Sequence, residues 1–205
     1  MFSVLTSPKI TQMSGGRIPQ MTRQQAAGLM GSWVVETGDP TLTNLDVIEK
    51  VAGKGRGLSQ YTSSRRIPYD RAAADAYAAG QDVNSAQWQM QYFADEYAGK
   101  YDQDGRSLSG WTRTFETLPA NLSPADYAQI ITGSLDEGKG YFRPSEPHMD
   151  RRRAAAEEIF KAYGPELAVP QPAPAPAPAP TNPLAEGMAN VVKTGLGYLG
   201  IPVGK

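Results

Sequence analysis

The sequence has 205 residues, of which 40% are apolar, enough for one domain with a hydrophobic core and additional segments. Lys and Arg number 20 against 21 Asp and Glu, so the formal charge of -1 gives no general electrostatic reason to bind nucleic acid or an anionic membrane. Because there is no cysteine and only one histidine, His148, thiolate and multi-histidine metal sites are excluded. We therefore expect no metal and no cofactor.

Composition divides the chain into four segments. Residues 1–20 are polar and lack periodicity, which predicts an N-terminal arm with no export signal. Residues 21–165 contain all three tryptophans and are predicted to form the catalytic domain. Residues 166–183 include PQPAPAPAPAP, which favours polyproline II and predicts a semi-rigid linker. Residues 184–205 are predicted to be an amphipathic anchor segment, and Lys193 argues against a membrane span there.

Apolar residues recur at helical spacing through most of the central segment. Thr22 is the predicted N-cap of a helix that carries Ala26, Leu29, Met30 and Trp33 on one face. Further helices are predicted from Pro68 to about Ala79, from Asn84 to Tyr97, around Leu108 to Leu118, from Ser123-Pro124 to Leu135, and from about Asp150 to Tyr163. The exception is residues 53–62, where three glycines and β-forming residues indicate a small β-hairpin or a structured loop. The predicted fold class is therefore mainly α, with N- and C-terminal arms.

Glu36 is the first candidate functional residue. At about 100 degrees per residue it falls on the same helix face as Leu29 and Trp33. Gly38 and Pro40 end the helix just beyond it, so burial and the negative end of the helix dipole are both expected to raise its pKa. A glutamic acid that keeps its proton near neutral pH is what a glycosidase needs to protonate a leaving oxygen. The alternative is a glutamate that ends a helix and pairs with an arginine.

A glycine-rich loop supplies the second group of candidates. The stretch GRGLSQYTSSRR, residues 55–66, contains an amide that can hydrogen-bond a sugar and a tyrosine that offers a flat apolar face for a pyranose ring. The candidate substrate-binding residues are Ser59, Gln60, Tyr61, Thr62 and Arg65. Three arginines, Arg151 to Arg153, begin the last helix, where the dipole opposes positive charge; a solvated face is expected, with contact to an acidic partner as the alternative.

Taken in this order, these motifs resemble the phage tail lysozyme family. The first motif is an apolar helix running into Glu36-Thr37-Gly38-Asp39-Pro40, and the second is the loop Gly57 to Arg66. A third, Tyr141-Phe142-Arg143-Pro144 with His148 and the helix Arg151 to Tyr163, is similar to the end of the family's domain. The resemblance covers about residues 20–165. Thr37 stands where the family usually has Ser and retains its hydroxyl. Tyr61 stands where the family frequently has Trp and retains an aromatic face.

The resemblance implies a lysozyme-like helical fold that cleaves the β-1,4 linkage of the peptidoglycan glycan, with Glu36 as general acid. Most glycosidases use two carboxylates. Asp39 is the candidate for the second, although an Asx turn before Pro40 is an equal alternative. Asp46 is another candidate, or a residue at a helix start. If neither faces the cleft, a lytic transglycosylase with Glu36 alone is the alternative.

Two hypotheses follow for the whole protein. The first is a muramidase-type enzyme of a phage particle that opens the bacterial wall during infection. The Pro-Ala linker, the C-terminal segment and the N-terminal arm would then attach it to other tail or baseplate proteins, so that it resides in the virion and acts in the cell envelope. The second is an inactive structural tail component that keeps the fold and uses its arms for assembly. Bacterial peptidoglycan is the expected partner of the first, and neither hypothesis involves nucleic acid or a transmembrane span.

Overall fold

A computed structural model describes residues 1–49, 54–101, 114–133, 140–142 and 148–163, all within one structural unit, Met1–Pro165. These residues form seven α-helices: Phe2–Leu5 (α1), Pro8–Met13 (α2), Arg23–Thr37 (α3), Ser63–Ala78 (α4), Ala86–Tyr97 (α5), Pro124–Thr132 (α6) and Met149–Tyr163 (α7). In the same part of the chain, extended pairing is limited to isolated antiparallel bridges of Arg56 with Ile48 and Tyr61. The mainly helical fold is confirmed.

The helix boundaries follow local capping chemistry. The Thr22 hydroxyl accepts a hydrogen bond from the Gln25 backbone N–H, and the Gln25 side chain accepts one from the Thr22 N–H, which completes a capping box at the start of α3. Ser123 caps α6 in the same way through the Asp126 N–H, and Gly133 ends that helix in the left-handed conformation. The predicted helices at these positions and at α5 and α7 are confirmed; Leu135, the predicted end of α6, lies outside the described residues.

Two predicted helices differ from the structure. α4 begins at Ser63, five residues before Pro68, because Thr62 takes the extended N-cap conformation and the chain turns into the helix there. Pro68 therefore lies inside α4 rather than at its start. Of the helix predicted around residues 108–118, positions 108–113 lie outside the described residues, and residues 114–117 form a turn.

Residues 1–20 correct the predicted N-terminal arm. They form α1 and α2, with Ser7 as the N-cap of α2. Four of their apolar side chains are buried in the main core: Phe2, Leu5, Ile10 and Ile18. The Phe2 ring also stacks on Tyr163 at the end of α7, with 4.8 Å between ring centroids. Helices of four and six residues are too short to show a helical period in the sequence, which is why the segment resembles an arm.

Two glycines let α3 approach its neighbours closely. A Cβ atom at Gly28 would lie 2.6 Å from the Tyr127 Cβ and 2.8 Å from the Ala128 backbone nitrogen on α6. One at Gly31 would lie 2.6 Å from the Ala156 backbone nitrogen and 2.7 Å from the Arg152 carbonyl oxygen on α7. Because these neighbours are largely backbone atoms that cannot rotate away, only glycine permits this packing.

The buried apolar residues form two clusters. The larger one surrounds α3 and includes Trp33 and Phe93. The smaller one, which we name the tyrosine cluster, contains Tyr61, Tyr69, Ala73, Ala76, Val83 and Tyr92. α5 contributes Phe93 to the first and Tyr92 to the second, so this helix separates the two. The longest helix has 16 residues, and within the described ranges no helix combines the length and apolar character needed to cross a bilayer.

Candidate functional site

Glu36 lies one residue before the end of α3. Gly38 follows the helix in the left-handed conformation with φ of 65°, and the Thr37 hydroxyl donates to the Trp33 carbonyl at 2.8 Å, which completes the last turn. The Glu36 side chain is 12% exposed. It therefore lies mostly within the protein, as its position on the apolar face predicts.

Arg152 of α7 contacts Glu36 directly. Its Nη2 atom is 2.8 Å from the Glu36 Oε1, and its Nη1 donates to the Ser32 carbonyl at 3.3 Å. The Arg152 side chain is only 2% exposed and its guanidinium lies 5.6 Å from the Phe142 ring centre. The expectation that Arg151 to Arg153 form a solvated face is therefore wrong for Arg152. The reason is helical geometry, because Arg152 lies on the same inner face of α7 as the buried Ala156.

This ion pair opposes the effects that were expected to keep Glu36 protonated. Burial and the helix C-terminus disfavour the ionised carboxylate, whereas a guanidinium at contact distance stabilises it. Glu36 thus occupies a mostly water-excluded position with the Arg152 guanidinium in contact with it.

Asp39 holds the loop that follows α3. Its Oδ1 accepts hydrogen bonds from the Thr41 N–H and hydroxyl at 2.8 and 2.5 Å. Its Oδ2 accepts them from the Thr43 N–H at 2.8 Å, the Thr43 hydroxyl at 3.3 Å and the Asn44 N–H at 2.8 Å. These donors, led by the Asn44 N–H, hold the pKa of Asp39 well below its usual value. The arrangement is that of the Asx-type turn which the sequence left open.

Asp46, the other candidate carboxylate, is also engaged. The Arg56 Nε and Nη2 donate to its two oxygens at 2.8 and 2.7 Å, and the Tyr69 hydroxyl donates to Oδ1 at 2.8 Å. Arg56 extends the set by donating to Asp70 at 2.9 Å. Asp46 therefore joins the loop after α3 to the glycine-rich loop and to α4.

Ser59 connects the glycine-rich loop to α3. Its buried hydroxyl accepts a hydrogen bond from the Trp33 indole N–H at 2.9 Å and lies 3.4 Å from the Tyr141 hydroxyl, which donates to Glu96 at 2.8 Å. Arg65 closes this chain with a bidentate contact to Glu96, at 2.5 and 2.8 Å. The network fixes the loop against the helix that carries Glu36.

The structure corrects the expectation that Tyr61 stacks on a sugar. Tyr61 is fully buried, and burial raises the pKa of its hydroxyl well above the usual value. Its ring packs on Tyr69 with 4.9 Å between centroids, and the Arg65 guanidinium lies 4.9 Å from its centre. The aromatic residue of the motif is a core residue here, and Arg65 is mostly buried with it.

Gln60 and Thr62 retain partial exposure. The Gln60 Nε2 donates to the Val47 and Gly57 carbonyls at 3.1 and 3.0 Å, and its backbone takes a positive φ of 43°. Thr62 is the N-cap of α4. Of the five predicted substrate-binding residues, Gln60, Thr62 and Arg65 are partly exposed, and Ser59 and Tyr61 are buried.

Two buried polar residues, Gln89 and Glu96, have no place among the predicted candidates. Gln89 on α5 accepts from the Leu58 N–H at 3.1 Å and donates to the Tyr69 hydroxyl at 2.7 Å. Glu96 lies seven residues later on the same buried face, with Phe93 between them. A polar residue on an otherwise apolar helix face is the signal in the sequence that could identify Gln89 and Glu96 as buried hydrogen-bonding residues.

The Glu36 and Arg152 pair predicts a measurable coupling. We expect Arg152→Met to lower the free energy of unfolding by about 3 kcal/mol, because it leaves a mostly buried carboxylate without its cation. In the double variant with Glu36→Gln, the loss should be smaller than the sum of the two single losses by about 1 to 3 kcal/mol. Urea denaturation of the four proteins measures both quantities.

Arg151→Met is the matched control for this cycle. Arg151 precedes Arg152 on the exposed side of α7, so its replacement should change the free energy of unfolding by no more than about 0.5 kcal/mol. Equal effects at positions 151 and 152 would show that the ion pair contributes nothing to stability.

Asp39 predicts a pH-dependent contribution to stability. Since its pKa is lower in the folded chain than in the unfolded one, its stabilising effect is present above about pH 4 and is lost as the pH falls further. Asp39→Asn should therefore destabilise the protein near neutral pH, and its difference from wild type should shrink below about pH 4. Asp75→Asn, at an exposed position on α4, is the control, and a pH-independent difference at Asp39 would contradict the assignment.

Comparison with known proteins places this architecture in a family. A sequence model of the phage tail lysozyme family matches residues 9–163, which includes α2 except its first residue, all of α3 to α7, and the Glu36 motif. The match begins inside the segment predicted to be an arm, in agreement with its packing in the core. Searches of curated proteins and of solved structures gave no match to the chain. The chain belongs to the phage tail lysozyme family.

Proposed function

We propose that this protein is a muramidase-type enzyme that cleaves the β-1,4 glycosidic bond of peptidoglycan, with Glu36 as general acid. Membership of the phage tail lysozyme family supports a lysozyme-like peptidoglycan hydrolase in general. The observation that carries the finer proposal is the position of Glu36, a mostly buried carboxyl at the end of a core helix in contact with the buried Arg152.

In the proposed reaction, protonated Glu36 donates its proton to the glycosidic oxygen as the bond between that oxygen and the anomeric carbon breaks. The sugar then carries the positive charge of an oxocarbenium-like state, and Glu36 becomes a carboxylate. The Arg152 guanidinium, 2.8 Å from Oε1, stabilises this developing negative charge. The guanidinium therefore has two opposing effects. It assists proton transfer to the sugar by stabilising the carboxylate that forms, but in the resting enzyme it also stabilises the ionised acid, which has no proton to donate.

The second half of the reaction requires a nucleophile. We propose that Asp39 is a positioning residue of the loop after α3, because its oxygens already accept five hydrogen bonds from that loop. The Glu36 carboxylate then accepts a proton, either from an attacking water or from the sugar's own C6 hydroxyl. The first route is hydrolysis; the second gives a 1,6-anhydro end, the product of a lytic transglycosylase.

For substrate contact, we propose Gln60 and Thr62 of the glycine-rich loop. Both are partly exposed, and Gln60 is held in a fixed orientation by two backbone carbonyls. Ser59, Tyr61 and Arg65 act beneath them as supports, because each is packed into the core or into the buried hydrogen-bond network.

One observation favours the second candidate, a structural tail component without activity. Glu36 forms an ion pair with a buried arginine, and such pairs also occur at positions with no catalytic role. A direct assay separates the two functions.

We expect purified protein to clear peptidoglycan in a zymogram and Glu36→Gln to lower this activity by about 100- to 10,000-fold, the usual contribution of general acid catalysis. Glu158→Gln is the matched control, since Glu158 is exposed on α7 and pairs with Lys161 there, so activity should be unchanged. Mass spectrometry of the products distinguishes reducing ends from 1,6-anhydro ends. Absence of clearing by wild type on several peptidoglycan chemotypes would support the structural function.

We also propose that the enzyme resides in the virion tail or baseplate and that residues 184–205 attach it there. Support comes from the family and from the Pro-Ala linker in the sequence; this segment lies outside the described residues. Deletion of residues 181–205 should release the protein from purified particles while peptidoglycan clearing by the free protein persists. Particles that retain the shortened protein would place the attachment elsewhere.

A further inference from the structure

A groove of about 600 Å³ lies between α4 and α5, beside the tyrosine cluster. This volume is in the range of small-molecule binding sites. The groove does not include Glu36, Asp39 or any residue of the glycine-rich loop. It is therefore separate from the proposed catalytic site.

The wall of the groove is aromatic. Tyr92 stacks between two partly exposed rings, with 5.5 Å to Trp88 and 4.7 Å to Tyr101 between centroids. Its hydroxyl is buried and has no hydrogen-bond partner within the described part of the chain. Because this hydroxyl is inaccessible to solvent, the groove presents aromatic ring surface rather than the Tyr92 hydroxyl.

The rim of the groove carries polar groups that the protein does not use. Arg71, Asp75 and Gln81 line it and are exposed, and their side chains form no hydrogen bond or ion pair with another described residue. They provide a cation, an anion and an amide along one edge. The rim therefore offers donors and acceptors together.

The charges of the groove cancel. Arg71 is balanced by Asp75, and Lys100 pairs with Asp95 at 2.7 Å. This balance does not favour phosphate, nucleic acid or an acidic peptide, all of which need net positive charge. Flat aromatic faces with mixed donors and acceptors, and no net charge, match a neutral sugar chain, which has apolar ring faces and many hydroxyl groups.

We propose that the groove between α4 and α5 is a second saccharide-binding site that holds a neutral pyranose chain away from the catalytic centre. The assignment of that chain to the N-acetylated glycan of the cell wall rests on the proposed function. Such a site would keep the enzyme on the polymer between cleavage events, because two weak contacts with one strand raise the effective concentration of the strand.

The test uses the full-length Glu36→Gln variant, which leaves the sugar uncleaved, and follows the Trp88 indole N–H by NMR. The probes are N-acetylglucosamine tetramer and maltotetraose, added above about 1 mM to detect weak binding. We expect the tetramer to shift this resonance in a saturable way. Gln81→Ala or Asp75→Ala should weaken that binding by about three- to tenfold through loss of a hydrogen bond, whereas Gln87→Ala, an exposed glutamine of α5 outside the groove, should not.

The outcomes are distinguishable from those of the zymogram. A shift with both sugars supports a general saccharide site, and a shift with the N-acetylated tetramer alone supports the cell-wall glycan. If neither sugar shifts the Trp88 resonance, the groove is not a saccharide site, even where wild type clears peptidoglycan. The same conclusion follows if Gln81→Ala binds the tetramer as well as Gln87→Ala does and Asp75→Ala has no effect. Binding at Trp88 without clearing leaves the groove assignment intact and rejects the enzymatic proposal.

Discussion

The close approach of α3 to α7 at Gly31 is the constraint on which the candidate site depends. A side chain at this position would meet the Arg152 carbonyl and the Ala156 backbone, so glycine is what brings the two helices together. That contact places the Arg152 backbone beside Gly31, six residues before the end of α3, and its guanidinium reaches both the Ser32 carbonyl and Glu36. The electrostatic surroundings of the acid are therefore set by a packing requirement in the middle of the helix.

A second constraint joins the glycine-rich loop to the helix that carries Glu36. The chain of contacts from Trp33 through Ser59, Tyr141 and Glu96 to Arg65 joins α3, the glycine-rich loop and α5 in the buried interior. Every polar group in it has a partner, and a satisfied buried network rigidifies the elements that it joins. Ser59 and Arg65, which resemble part of a sugar-binding motif in the sequence, thus hold the loop in place in the structure.

Local signals in the sequence were sufficient for most of the fold. Helical periodicity and caps such as Thr22 and Ser123 gave the type and position of the longer helices, and the face of α3 gave the partial burial of Glu36. What they could not give was tertiary pairing. Arg152 and Glu36 are 116 positions apart in the sequence, and nothing local shows that a glycine contact joins their helices. Tyr61 was misassigned for the same reason, because a loop aromatic can face either solvent or core.

The segment Glu36-Thr37-Gly38-Asp39 contains two carboxylates three residues apart that differ in burial and in hydrogen bonding. Asp39 lies beyond the helix end, where five donors from its own loop keep it ionised far below neutral pH. Glu36 lies before that end, in a mostly buried position in contact with the Arg152 guanidinium. A carboxylate that binds no proton at working pH cannot serve as a general acid, so of these two side chains only Glu36 suits that role in the proposed reaction. The left-handed turn at Gly38 is what separates the two environments.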